Sequence, residues 1–334
     1  MEPLVSVWMI TYNQERYLAQ AIESVLMQET TFPFEIVIGE DCSTDATRDL
    51  CLKYREKFPD KIRLVLHDKN CGLVRNFWET LQECQGKYVA QLEGDDYWTD
   101  PQKLQKQVDL LETHPEHAFC YHFFDTVSDA GEVLVEPKLI LDGKDLPANL
   151  TTQSIIDAKW SPVQTLTLLF RRKAFSEMPS WIYKMPIFDW PLHFYLSRSG
   201  TGVLLNRNMA CYRSHATGVW SGQGHVHNAL RYYYFYKSIL EAHPGEYDAY
   251  MLPRIRRHTR EMLEECLPTN NPKTVLHRLG LYLRHHLPGH VDWPFVGSMV
   301  SQILRFLISA FRIKVGSFKR KRAESSEVPH KSKT

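Results

Sequence analysis

An alternation near the start of the chain narrows the fold more than any other feature. Five strand-like runs, 5–11, 34–39, 62–67, 87–92 and 118–124, are mostly continuous apolar stretches. Side chains of a strand point alternately to its two faces, so a run without polar alternation belongs to a strand buried on both sides. Between the runs, Leu18, Ala21, Ile22, Val25 and Leu26 fall at helical spacing, and Thr47, Leu50, Cys51, Tyr54 and Phe58 repeat it. A third helical pattern covers 73–84, and a fourth starts at Pro101 and continues through Leu104, Val108 and Leu111. Strand and helix in strict succession specify an α/β class: a doubly wound, mostly parallel sheet with right-handed crossovers. Ligands of such a sheet bind at the carboxyl ends of its strands.

Beyond about residue 130 the alternation weakens. Residues 131–149 read as an irregular excursion, 165–170 and 203–206 as further strands with a helix over 190–198 between them, and 228–287 as a polar-rich helical extension. The expected organisation is one α/β domain over 1–225, a helical extension over 226–290, an amphipathic basic helix within 291–322 and a disordered tail over 323–334. With 43% apolar and 24% charged residues, wholesale disorder, a collagen-like chain and a coiled coil are excluded. The seven cysteines are odd in number and show no C-x-x-C, which argues for reduced thiols and against a disulfide frame or a zinc site. The strand-like run begins at once, without a charged leader or cleavage site, so no signal peptide and a cytoplasmic location are expected.

Polar clusters stand at three strand ends: Thr11-Tyr12-Asn13-Gln14-Glu15, Glu40-Asp41-Cys42-Ser43-Thr44-Asp45, and Glu93-Gly94-Asp95-Asp96. In a parallel sheet these ends share one edge. Two carboxylates about 4 Å apart repel by roughly 4 kcal/mol at an effective dielectric near 20. A site gathering Glu93, Asp95 and Asp96 therefore calls for a divalent cation, and hard oxygen ligands select Mg2+ or Mn2+. Such an ion would bridge a diphosphate and stabilise it as a leaving group. Gly94 lets the backbone approach a ligand closely. The competing interpretation has Asp95 and Asp96 forming only a turn and capping the following helix. Ser43, Thr44 or Asp45 is a credible helix N-cap, which leaves Glu40 and Asp41 unexplained; a carboxylate at that strand end could accept the imide N–H of a uracil.

These segments, together with Asn70-Cys71-Gly72-Leu73-Val74-Arg75-Asn76 and Phe188-Asp189-Trp190-Pro191-Leu192, resemble glycosyltransferase family 2 in content, order and spacing over about residues 3–220. The resemblance implies a GT-A fold and inverting transfer of a sugar from a nucleotide-sugar donor, UDP-linked by family weight, with Mn2+ or Mg2+. It implies that Thr11, Tyr12, Asn13, Glu15, Glu93 and Gly94 line the nucleotide-sugar site, that Asp41 recognises the base and that Arg75 lies near the nucleotide. Asp95 and Asp96 would hold the metal, and Arg213 and His215 the diphosphate. Asp189 would be the catalytic base, because inversion by direct displacement needs a carboxylate at the acceptor hydroxyl, opposite the departing diphosphate. The alternative for Asp189 is a helix N-cap. In two places this chain departs from the family pattern, with Glu93 and Glu40 where an Asp is more usual. A nucleotidyltransferase and a catalytically inactive nucleotide-sugar-binding module are the competing functions. The former usually carries a Gly-rich basic loop after its first strand, which Thr11–Glu15 lacks.

A net charge of +1 gives no support to nucleic-acid binding, but it hides a gradient. From Arg312 onward there are eight Lys/Arg against two Asp/Glu. Over 298–315 the polar residues form one narrow stripe on an otherwise apolar helix, with Lys319-Arg320-Lys321-Arg322 next to it. A mid-segment Arg costs roughly 2.5–3.5 kcal/mol in a membrane centre, so spanning is disfavoured. The expectation is a helix lying on an anionic membrane surface, on the cytoplasmic face; the alternative is packing on the α/β domain or on a second copy in a homo-oligomer. A membrane-proximal enzyme suggests a glycan or lipid-linked glycan acceptor.

Overall fold

A computed structural model describes residues 2–135, 140–141, 144–145, 149–158, 161–175, 179, 182, 185, 187–216, 218, 225–266, 277, 280, 296–297 and 300–301. The chain divides into two compact units, 1–223 and 224–334. In the first, the strands are β1 (Val5–Thr11), β2 (Phe34–Glu40), β3 (Ile62–Leu66), β4 (Tyr88–Glu93), β5 (Tyr97–Trp98), β6 (His117–Val127), β7 (Val133–Val135), β8 (Ile140–Leu141), β9 (Lys144–Asp145), β10 (Asn149–Leu150), β11 (Leu169–Arg171) and β12 (Thr201–Arg213). The helices are α1 (Leu18–Leu26), α2 (Thr47–Lys57), α3 (Leu73–Gln82), α4 (Lys103–Thr113), α5 (Thr152–Asp157) and α6 (Asp189–Ser199). The second unit contains α7 (His225–Ala242) and α8 (Asp248–Cys266), packed on each other.

The main sheet has the order β10-β12-β6-β11-β4-β1-β2-β3. The pairs β1–β2, β1–β4, β2–β3 and β6–β12 are parallel, and β11 runs antiparallel between β4 and β6. Strands β3, β2, β1, β4, β6 and β12 therefore point the same way, and their carboxyl ends share one edge. One face of the sheet, with Val5, Val7, Met9, Ile36 and Ile38, joins a core with Leu18, Ala21, Ile22 and Val25 of α1 and Leu104, Val108 and Leu111 of α4. On the other face Trp8 meets Phe77 of α3 edge-on at 3.9 Å between ring centroids, and Phe77 lies 3.8 Å from the Phe188 ring. Each Val, Leu, Ile or Phe fully removed from water contributes about 1.5–3 kcal/mol, so the two faces hold the sheet edge rigid.

Helix α3 comes very close to β2 at Gly39. A Cβ there would fall 1.8 Å from Thr80 Oγ1 and 2.4 Å from Asn76 Oδ1, and Asn76 Nδ2 donates to the Gly39 carbonyl at 3.0 Å. Only a residue without a side chain permits this approach.

The structure departs from the sequence expectation in three places. Within 131–149, expected to be irregular, β7 pairs with β6, β8 pairs with β9, and Asn149 begins β10 on β12. Strands of two or three residues are too short for a period-two pattern to register. Residues 165–170, expected as one strand, begin with a 3-10 turn at Thr165–Thr167 before β11. The strand expected over 203–206 continues to Arg213, with register shifts on either side of Asn208 where exposed Asn206-Arg207-Asn208 breaks the apolar run. Apart from Val296, Gly297, Val300 and Ser301, the amphipathic segment 291–322 and the tail 323–334 lie outside the described residues.

The core also holds an ammonium group. Lys103 is fully buried, its Nζ 3.9 Å from the Trp98 ring centroid and donating to Gln107 Oε1 at 2.7 Å. Burial, with no carboxylate partner among the described residues, lowers its pKa to about 7. Below that value the group is charged in folded and unfolded chains alike, so its burial penalty is fully present. Between about 7 and the unfolded value near 10.4 the unfolded chain binds the extra proton, and stability rises with pH. Lys103→Met is therefore expected to gain most over wild type below pH 7, on the order of a few kcal/mol, with the advantage shrinking toward pH 10. Urea unfolding at pH 6 and pH 9.5 checks this; a constant difference would contradict it.

Candidate active site

Three of the aligned strand ends build the site. In the parallel register Thr11 faces Glu40 and Ile10 faces Glu93. The tips of β2 and β4 thus flank β1, about 10 Å apart from two interstrand spacings. A nucleoside diphosphate spans that distance.

The loops after β1 and β2 fasten each other. Asn13, in a left-handed conformation (φ 52°), donates from its backbone to Ser43 Oγ at 3.0 Å and accepts from Thr44 N at 2.8 Å. The Glu15 backbone donates to Asp45 Oδ2 at 3.2 Å, while Glu15 Oε2 accepts from Ala46 N at 2.8 Å. Asp45 Oδ1 accepts from Thr47 N at 2.9 Å, so Asp45 and Glu15 together serve the orphan donors at the start of α2. Glu40 is buried, accepts from Ser43 N at 2.6 Å and pairs with Arg48. Asp41 is also buried, and its two carboxylate oxygens accept the backbone N–H groups of Cys71 (2.7 Å) and Gly72 (2.9 Å). It thereby tethers the loop entering α3, where Gly72 takes φ 88°. A carboxylate offers about four acceptor sites, so capacity for a further donor remains. Tyr12 is 43% exposed at the mouth.

The acidic turn after β4 is the densest charge in the site. Carboxylate oxygens of Glu93, Asp95 and Asp96 lie within 4.8 Å of one another. Burial, the neighbouring Asp95 and the more distant Asp189 raise the Glu93 pKa to about 8, against the hydrogen bond it accepts from Thr165 Oγ1 at 3.1 Å. Asp96 is held well above the usual carboxylate range by burial and by Asp95 and Glu93. Asp96 Oδ1 accepts from Arg213 N at 2.8 Å, whereas Oδ2 is buried with no partner. Asp95 Oδ2 is 3.0 Å from His215 Nε2, and the His215 ring lies 5.0 Å from that of Tyr17. Thr11 Oγ1 and Gln14 Oε1 are two further buried polar atoms without a partner, and both border Gly94, where a Cβ would reach 2.9 and 2.5 Å from them. Glycine at this position is what lets the turn after β4 pack directly against the loop after β1.

Asp189 is the first residue of α6, after Phe188 at the N-cap position. It is partly buried, and its charge reaches Glu93 across the site. The Phe77–Phe188 packing fixes where that helix starts.

Arg213 lies behind the turn. Its Nε donates to the Asp95 carbonyl (3.1 Å), Nη1 to the Asp129 carbonyl (3.0 Å) and Nη2 to Gln20 Oε1 (2.6 Å), and its guanidinium sits 5.0 and 5.3 Å from the Tyr17 and Tyr97 rings. With all three nitrogens on protein acceptors, this geometry is that of a brace for the acidic turn. Arg75 is exposed on α3 and pairs with Glu79 at 2.6 Å. Thr165, Gln20 and Asp129 escaped the sequence argument: each works through a neighbour made only by tertiary folding, and no local pattern marks it.

The profile of glycosyl transferase family 2 matches residues 6–177. An uncharacterised protein of Mycobacterium tuberculosis is 36% identical over 219 residues, 65% of this chain and 60% of its own length. The chain thus spans only about 60% of that relative. An uncharacterised glycosyltransferase of Nostoc is 31% identical over 214 residues, 63% of this chain and 65% of its own. In fold, the chain is similar to residues 1–349 of Staphylococcus aureus TarS, solved with UDP, with a TM-score of 0.58 at 18% identity over 92% of this chain and 89% of that one. The expected α/β architecture, a mostly parallel sheet of GT-A type followed by helices, is the one found.

Glu93 carries a pH signature. Its proton stays on the folded chain up to about pH 8 but leaves the unfolded chain near 4.5, so stability falls across that window. In EDTA, Glu93→Gln is expected to match wild type near pH 4.5 and to exceed it increasingly toward pH 8, by on the order of 1–3 kcal/mol. Urea midpoints at pH 5 and 8 measure it, and a gap that does not widen would count against the crowded acidic turn.

Proposed function

The chain belongs to glycosyl transferase family 2, and from that premise we propose that it transfers a sugar from a UDP-linked donor to a hydroxyl of a glycan or lipid-linked acceptor, with inversion at the anomeric carbon. The observation that carries this reading is the acidic turn at the tip of β4, with three carboxylates within 4.8 Å and the Asp189 charge sensed at Glu93. The crystallised complex of TarS with UDP supports the choice of base, and the activity TarS is named for, transfer of N-acetylglucosamine to poly(ribitol-phosphate), supports a cell-surface polymer as acceptor.

Thr11, Tyr12, Asn13 and Asp41 would receive the nucleoside, with the Asp41 carboxylate free to accept an imide N–H beside the two backbone donors it already holds. Glu93, Asp95 and Asp96 fit a hard divalent cation, because all their donors are oxygens and Asp96 Oδ2 lacks a partner. Bound there, Mn2+ or Mg2+ would neutralise charge on the departing diphosphate. His215, next to Asp95, would face the same phosphates. Asp189 takes the proton of the acceptor hydroxyl as that oxygen forms its bond to the anomeric carbon, and the bond to the diphosphate breaks on the opposite face. Gly94 lets the acidic turn pack closely on Thr11 and Gln14 of the loop that would receive the nucleotide.

We also assign the protein to the cytoplasmic face of a membrane through the basic amphipathic segment within 291–322. Among the described residues no helix is long and apolar enough to cross a membrane. The 334-residue chain is expected to pellet with anionic liposomes, and a chain ending before Ser298 is not; equal pelleting would reject the anchor.

Turnover, followed as UDP release from a panel of UDP-sugars, tests the catalytic assignment. Asp189→Asn should lower kcat by at least about 100-fold while leaving UDP affinity unchanged. An Asn variant as active as wild type would remove Asp189 from the reaction.

A further inference from the structure

Besides the acidic turn, one other group of metal-ligating side chains is gathered among the described residues. Ligand atoms of Asp41, His67 and Cys71 all lie within 4.8 Å of one another. Asp41 follows β2, His67 follows β3, and Cys71 lies just before α3. The parallel pairing of β2 with β3 sets Glu40 opposite Leu66, and the His67 backbone donates to the Glu40 carbonyl at 3.1 Å, so Asp41 and His67 leave the sheet side by side. The hydrogen bonds from Cys71 N and Gly72 N to the Asp41 carboxylate then bring the thiol to them. The sequence argument against zinc rested on the lack of a C-x-x-C, a local pattern that a site gathered by tertiary folding does not need.

The hydrogen bonds around His67 decide which ring nitrogen can bind a metal. Asn76 Nδ2 donates to the Gly39 carbonyl at 3.0 Å, which leaves Asn76 Oδ1 as the acceptor toward the ring. His67 Nε2, 3.1 Å from Oδ1, therefore carries the proton, and Nδ1 of the neutral ring keeps its lone pair. A ligating histidine is ordinarily held in this way, its second nitrogen donating to a neighbour. Glu79 Oε2 stands 3.5 Å from Nδ1, while Oε1 pairs with Arg75. Two electron-rich atoms so placed favour a cation beside them. A proton on Nδ1 would serve that pair alone. A metal ion serves it together with Cys71 and with Asp41, whose two oxygens each keep an acceptor lone pair.

Donor type separates this group from the acidic turn. Oxygens alone select Mg2+ or Mn2+, whereas a thiolate with an imidazole and one carboxylate suits Zn2+. Ligand atoms of a tetrahedral zinc stand roughly 3.5 Å apart, so closing this group needs a movement of only about 1 Å. Asp41 is buried and the other two are partly buried, which leaves one side open for entry. We propose that Asp41, His67 and Cys71 form a Zn2+ site, distinct from the acidic turn, with water in the fourth position. The thiol proton passes to solvent as the metal–sulfur bond forms. The inference holds whichever nucleotide or sugar the crevice takes.

Titration of the metal-free 334-residue chain with Co2+, a spectroscopic substitute for Zn2+, tests it. A single equivalent is expected to give a thiolate-to-cobalt charge-transfer band, which Zn2+ abolishes by displacement and excess Mg2+ leaves unchanged. Cys71→Ser should lose the band, and His67→Gln should weaken Zn2+ binding by at least about tenfold, the cost of disturbing even an outer partner of such a site. Cys42→Ser, which removes the thiol next to Asp41 in the chain, should keep both. Serine preserves the backbone N–H that holds Asp41, so the thermal midpoint of Cys71→Ser in EDTA should match wild type. Should it fall, the His67→Gln titration carries the test. No charge-transfer band in wild type, a band that survives Cys71→Ser, or unchanged Zn2+ affinity in His67→Gln would overturn the site.

Discussion

Three carboxyl groups on one four-residue turn can ionise together only at a cost, which is why Glu93 and Asp96 hold their protons well above the usual carboxylate range. The opposing force is built from Arg213, which closes on the turn from behind, and from His215 beside Asp95. Arg213 reaches that position because β12 runs parallel to β6 and pairs antiparallel with β5, placing Ala210 opposite Trp98 and Cys211 opposite Tyr97. Its cationic plane is set beside two tyrosine rings, while its nitrogens are spent on two backbone carbonyls and on Gln20 Oε1. The turn is thus fixed by protein contacts alone.

Rigidity elsewhere on the edge has a different source. The loops after β1 and β2 exchange hydrogen bonds in both directions, and Asp41 anchors the loop into α3 through two backbone donors. Loops laced in this way behave as one surface. Side chains on them are positioned by backbone geometry more than by their own rotamer preference, which is what recognition of a planar base and a ribose requires. The Phe77–Phe188 packing extends the same frame to the first residue of α6, and so to the carboxylate facing the acidic turn.

Much of this was legible in the sequence because it depends on local pattern. Near-continuous apolar runs gave β1, β2 and β4, helical spacing gave α1 and α2, and strand direction alone gathered Thr11, Asp41 and Glu93 on one edge. The resemblance to family 2 then picked out Asp189, which no periodicity singles out. What stayed hidden is what tertiary pairing creates. The two-residue β5 has no pattern of its own, yet it orients Arg213. Thr165 belongs to a 3-10 turn that places its hydroxyl on Glu93. Asn206-Arg207-Asn208 interrupted the apolar signal of β12, so the strand that carries Arg213 into the site looked shorter than it is. Arg213, expected at the diphosphate, meets the Asp95 and Asp129 carbonyls and Gln20 in the structure, partners that no local pattern announces.

On the proposed function the acidic turn recruits a cation, and nucleotide and metal bind as one unit. Titration of the 334-residue chain with UDP, in EDTA and then in Mn2+, measures that coupling directly. UDP affinity is expected to be at least about tenfold higher with Mn2+, some 1.4 kcal/mol, with loss of that difference in Asp95→Asn. Equal UDP affinity with and without the ion would contradict it.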